Sequence, residues 1–226
     1  MNKTIIDLES IFAEFNAINS ANIINSDKAV VVGEYPTIHS NDLEPVSIIE
    51  PDLENGPWIA GGACLRWFQD QPVNDSDIDV FCRNAIQAQQ VIERIKSYGR
   101  FSVKYESENA VTLTHYTKDD FSTQWTIQVI TRRFFNNPKE VIDNFDITVC
   151  QIGTTGTEWI LGQETARDVR EKNLRMIPPL HSDAPKRLTK YWTYGYRPVP
   201  GLLAAIQNNT ETRWSFSQDE DYNNAF

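Results

Sequence analysis

Apolar residues recur at intervals of three or four along residues 4–18, where Ile5, Leu8, Phe12, Phe15 and Ile18 mark one face of an amphipathic helix. After a polar, Asn- and Ser-rich stretch, residues 29–33 form a β-branched run closed by a glycine, which predicts a strand. Residues 35–54 read as loop. Trp58, Ile59 and Ala60 then run into Gly61-Gly62, and residues 63–69 lack any breaker, so a strand, a glycine turn and a helix are expected in succession. A second strand ends at Phe81-Cys82. Asn84 is placed to cap a helix whose positions Ala88, Val91, Ile92 and Ile95 keep helical spacing. Residues 101–105, 110–116 and 124–130 alternate in polarity and are rich in β-formers, as a meander of three strands would be. Asn137-Pro138 starts a short helix through residue 144, and residues 146–152 read as a further strand. Helices are expected over residues 163–172 and 186–194, the latter beginning at Pro185 and stopped by Gly195.

This order of strands and helices predicts an α/β (α+β) domain, a mixed sheet flanked by helices, over residues 1–162. A small helical C-terminal extension over 163–214 and a flexible acidic tail over 215–226 would follow. The 226 residues are enough to bury a core without disulfides. Cys64, Cys82 and Cys150 are widely spaced and lack any CxxC pattern, which fits buried reduced thiols rather than a disulfide frame or a zinc site. No run of 18 apolar residues and no signal-peptide h-region can be read, so a cytoplasmic location without membrane contact is expected.

The net charge of −10 is unevenly spread. Between Arg167 and Arg197 eight Lys/Arg face three acids, a local +5 that leaves −15 elsewhere. A polyanionic partner would have to engage that basic stretch, because the chain as a whole repels it.

The chemistry concentrates between Trp58 and Phe81. On a strand, residues two apart share a face, so Asp77 and Asp79 point together while Ile78 and Val80 point into the core. At about 5 Å and an effective dielectric near 20, two such charges repel by on the order of 3 kcal/mol. A divalent cation would relieve this repulsion, and an all-oxygen site suits Mg²⁺ or Mn²⁺. An EF-hand starting at Asp75 is excluded, since the positions that need Gly and Glu hold Val80 and Ile86. Asp75 itself reads as a loop or capping residue. The Gly61-Gly62 turn before a helix lets backbone approach a ligand closely and favours a phosphate. Cation clamp and anion cradle together describe a site for a nucleoside triphosphate and for nucleotidyl transfer.

The glycine pair followed by Ser76-Asp77-Ile78-Asp79-Val80 resembles the signature of the polymerase-β-like nucleotidyltransferase superfamily. That resemblance implies a mixed sheet flanked by helices, Asp77 and Asp79 as Mg²⁺ ligands, and Gly61 and Gly62 against the triphosphate. It also implies a third acid on a later strand, for which Asp146, in Phe145-Asp146-Ile147-Thr148-Val149, is the choice. Gln128 stands where the earlier strand would otherwise carry that acid. Arg66 stands one position later than the arginine of the transfer-RNA terminal transferases and is taken as a nucleotide-binding residue. In the basic stretch, Lys186, Arg187 and Lys190 would supply charge for phosphates, and Tyr191 a ring for the base. The expected activity moves a nucleoside monophosphate from a triphosphate to an acceptor hydroxyl (on RNA, a protein or a small molecule) and releases pyrophosphate. The alternative is a catalytically inactive nucleotide-binding or antitoxin-like interaction module of the same fold.

Overall fold

The computed structural model describes residues 29–32, 38, 43–73, 76–116 and 123–208. The expected helix over 4–18, the role of Asp75 and the acidic tail lie outside them.

Eight strands form one mixed sheet. Along the chain they are β1 (Ala29–Val32), β2 (Trp58–Ala60), β3 (Ile78–Phe81), β4 (Phe101–Glu106), β5 (Ala110–Tyr116), β6 (Thr123–Ile130), β7 (Ile152–Thr154) and β8 (Trp159–Gly162). Their order across the sheet is β1-β8-β7-β2-β3-β6-β5-β4. Every neighbouring pair is antiparallel except β3 with β6, which run parallel with Asp79 opposite Gln128. Parallel neighbours need a long crossover. Here it carries the helix α3 (Ala85–Ser97) and the β4-β5 hairpin.

Alternation along β2 and β3 sorts side chains onto two apolar layers. Ile59, Ile78 and Val80 enter the larger core, where Ala88, Val91, Ile92 and Ile95 of α3 are buried as their spacing predicts. Trp58, Ala60 and Phe81 face the other side and meet Phe135, Val141 and Ile142. The last two come from α4 (Pro138–Asp143), which therefore covers that second face. Both helices start as expected: the Asn84 side chain accepts from the Gln87 amide at 2.9 Å, and Asn137 accepts from the Glu140 amide at 2.9 Å. Each cap satisfies an amide that has no partner within its helix.

Two expectations change, and one strand is added. Leu43–Ile49 is a helix, α1, although residues 35–54 read as loop. Its Pro45 lies in the first turn, where a missing N–H breaks no helical bond, so it does not act as the breaker it suggests in the sequence. Residues 146–152 are not a strand: Ile147 makes an isolated bridge to Met176, Thr148–Cys150 is a 3₁₀ turn, and pairing begins only at Ile152. Trp159–Gly162, for which no element was expected, forms β8 between β1 and β7.

The helix α2 (Gly62–Phe68) follows β2, and beyond β8 come α5 (Thr165–Glu171) and α6 (Ala184–Thr193). A short parallel pair links β9 (Asn173–Leu174) to β10 (Arg197–Pro198). A buried polar knot ties this part to the sheet domain: Asp168 is fully buried and accepts from Thr148 Oγ1 at 2.6 Å and from Arg175 Nε at 3.1 Å.

Candidate active site

Gly61 is the hinge on which the site is built. It closes β2 and enters α2 with φ +97°, a conformation that L side chains rarely adopt. A Cβ there would stand 2.9 Å from Phe145 Cε1 and 3.5 Å from Asp79 Oδ2. The Phe145 ring is thus what a side chain would strike, while the carboxylate lies at ordinary contact distance. At Gly62 a Cβ would lie 3.5 Å from Ser76 Oγ and 4.0 Å from the Tyr191 hydroxyl. The glycine pair, Ser76, Asp79 and Tyr191 are therefore neighbours in space.

The two aspartates sit at the start of β3, on the face that carries Phe81. Asp77 is exposed and Asp79 half-buried. Gln128 of β6 donates from Nε2 to Asp77 Oδ2 at 2.7 Å. Burial first, and the Asp77 charge second, push the Asp79 carboxyl up from 3.8 to about 7, while Lys190 pulls the other way. Lys190 lies on α6, so this helix brings a cation to Asp79. Beneath the site, burial and then Asp79 raise the Cys64 thiol. All three cysteines are buried and free, as their spacing implied.

Asp146 is held differently. Its Oδ1 accepts from Arg187 Nη1 at 2.5 Å, and Arg187 also donates from Nε to Asp183 at 2.8 Å. Among the described residues no group of three His, Cys, Asp or Glu side chains could hold a metal ion. The three-carboxylate set expected from the sequence is thus not assembled, and Arg187 is engaged by two acids. The physical reason is local: Asp146 lies in a bend rather than on a paired strand, so no sheet neighbour aligns it with Asp77 and Asp79. On the strand beside β3, the position across from Asp79 is filled by Gln128.

Tyr191 also departs from expectation. Its ring is only 5% exposed, and its hydroxyl is 2.6 Å from Cys150 Sγ, so it is a packing residue and offers no face to a base. Burial raises its hydroxyl further. Arg66 points along its own turn, donating from Nε to the Pro72 carbonyl at 2.7 Å, with its guanidinium 5.7 Å from the Tyr194 ring centroid. Lys186 is exposed on α6. Several of the arginines are paired with acids of the chain: Arg167 with Glu164, Arg175 with Asp168, and Arg187 with Asp146 and Asp183. Ser76, Gln128 and Phe145 are the neighbours that the sequence reading gave no place in the site. Ser76 could have been found from its position directly before Asp77. Nothing in the sequence aims Phe145 at Gly61.

A divalent cation fits the donor set in part. Asp77 and Asp79 offer oxygen ligands, and burial, with the Asp77 charge second, raises the Asp79 carboxyl that a cation would stabilise. Mg²⁺ is commonly held by one or two carboxylates, with phosphate oxygens and water completing its shell.

Residues 35–172 match the description Gabija anti-defense 2 family protein. The chain belongs to this family. No curated protein sequence matches the chain. Among solved structures, this family member is similar to the Thermotoga maritima CCA-adding enzyme complexed with tRNA, with TM-score 0.58 and 16% identity over 81% of this chain and 46% of that one. A CCA-adding enzyme with CTP aligns with TM-score 0.56 and 16% identity, over 80% of this chain and 45% of that one. The Bacillus stearothermophilus CCA-adding enzyme in complex with CTP gives 0.53 and 17%, over 76% and 44%. The chain spans about half the length of these enzymes. The likeness establishes a nucleotidyltransferase-like fold, the fold class expected from the sequence.

Proposed function

We propose that this chain is a metal-dependent nucleotidyltransferase that counters the Gabija defence through nucleotidyl transfer. One observation carries the reading: Asp77 and Asp79 share a sheet face, and Asp79 adjoins the glycine turn where backbone can approach a phosphate. Asp77 and Asp79 would hold Mg²⁺ or Mn²⁺, which when bound neutralises charge on the phosphates and on departing pyrophosphate. Gly61 and Gly62 leave room for the triphosphate, and Gln128 fixes the Asp77 carboxylate by its 2.7 Å hydrogen bond. Lys190 balances anionic charge at Asp79. Asp146 positions Arg187, and the pair joins the bend after α4 to α6.

The enzymes that share the fold support an activity on nucleotides, with RNA, a protein or a small molecule as the acceptor class, and the family name supports a role against the Gabija defence. A second reading, a silent nucleotide-binding or antitoxin-like module, draws on Gln128 beside the aspartates and on the Asp146 ion pair. Incubation with triphosphates labelled at the α-phosphate, Mg²⁺ and cell extract separates the two. Labelled product from the wild type and none from Asp77→Asn is expected. Label from both proteins, or from neither, contradicts the catalytic reading.

A further inference from the structure

A groove of about 570 Å³ opens on the sheet face that carries the aspartates, walled by α4, the bend at Phe145-Asp146 and the segment around Ile177. Phe145 is its shared wall with the candidate centre, because the same ring stands against Gly61. The volume lies in the range of binding sites rather than packing defects.

Its lining has two halves. Phe134 and Ile177, 37% and 40% exposed, with Pro178 and Pro179 make an open apolar wall. Glu140, Asp143 and Asp146 also line it, together with Arg133. Two of these acids have cations of their own: Lys139 Nζ lies 2.6 Å from Asp143, and Arg187 lies 2.5 Å from Asp146. Arg133 donates to the Asn144 side chain, and Glu140 takes the Asn136 amide at 2.9 Å. Lys139 and Arg187 lie outside the lining, whose own three acids outnumber Arg133, so the groove offers no surplus of cations. A nucleic acid is held chiefly by phosphate contacts to Lys and Arg, which this lining does not supply. Exposed apolar side chains among polar groups that already have partners suit a polypeptide segment.

We infer that the groove is the acceptor site and that the acceptor is a protein segment presenting a Ser, Thr or Tyr hydroxyl. This rests on the transferase reading. In the reaction the side-chain oxygen forms a bond to the α-phosphorus and the bond between that phosphorus and the oxygen bridging to the β-phosphate breaks. Pyrophosphate leaves with the electron pair, and the hydroxyl proton passes to water.

The test uses the full chain, Mg²⁺ and α-labelled triphosphates with a pool of synthetic peptides, each holding one hydroxyl residue in random flanks. A pool of random RNA oligonucleotides and a set of small alcohols run as parallel arms. Ile177→Asp and Phe134→Asp place a charge on the apolar wall at exposed positions, and their melting temperatures report folding. The expected result is label in the peptides that falls at least tenfold in both variants, with acceptor-free triphosphate hydrolysis unchanged. Label in the RNA or alcohol arm instead, or peptide labelling that neither variant alters, overturns the proposal. Retention of the peptide pool by the immobilised protein without nucleotide is measured alongside. If the wild type turns over no triphosphate, the transferase reading fails. Peptides held by the wild type and lost by both variants would then still identify the groove as a peptide site, and no retention would remove it as well.

Discussion

Asp79 is held where burial and the neighbouring Asp77 oppose its ionisation, and this has a measurable sign. Its carboxyl titrates near 7 in the folded chain against 3.8 ordinarily, so between these values the folded state binds more protons than the unfolded state. Stability therefore falls as pH rises through this window. At pH 8 the metal-free protein carries the full penalty, on the order of 4 kcal/mol. Asp79→Asn should raise the metal-free melting temperature at pH 8 by several degrees and leave it nearly unchanged at pH 4, as thermal unfolding at the two pH values would show. Gly61 works in the opposite sense. With φ +97° and Phe145 Cε1 only 2.9 Å from where a Cβ would sit, Gly61→Ala should lose at least about 2 kcal/mol in urea unfolding. At this scale the sequence exposes residue types but not their partners. Alternation of acids with Ile78 and Val80 reveals the Asp77/Asp79 pair. It does not reveal that Gln128 binds Asp77, because that contact spans a parallel pairing 51 residues away.

Helix caps and strands differ in how locally they are encoded. Asn84 and Asn137 act within three residues of themselves, and their helices follow the sequence reading. Asn84→Ala should destabilise the protein by about 1 kcal/mol, seen as a lower urea midpoint with unchanged slope. The segment after Asp146 is governed from a distance instead. Thr148 is fixed by the buried Asp168, and its amide donates to the Arg175 carbonyl at 3.1 Å, so a β-branched run turns into a 3₁₀ turn. The partners lie 20 and 27 residues downstream, beyond any local pattern. Asp168→Ala should therefore cost about 3–5 kcal/mol, since it leaves Arg175 and Thr148 without their shared acceptor. Chemical denaturation of the variant against wild type measures this.

On the scale of the whole molecule, one sheet divides two apolar layers, and the aspartates, α4 and the groove all lie on the thinner side. The mixed sheet with flanking helices was legible because the strand and helix periods are clean from Trp58 to Ile130. The basic stretch was legible as composition only: its arginines mostly answer acids of this chain, and Tyr191 is packed against Cys150. Folding thus consumed charge that the sequence offered to a ligand. What it left is a carboxylate pair beside a glycine turn, on the fold that the CCA-adding enzymes share. The most direct test is crystallographic: the protein with Mn²⁺ and a non-hydrolysable triphosphate, with anomalous scattering recorded at the manganese edge. The account predicts an anomalous peak bonded to Asp77 and Asp79, with the phosphates running past Gly61 and Gly62. A nucleotide bound elsewhere, or phosphates at the glycine turn with no manganese on either aspartate, would contradict it.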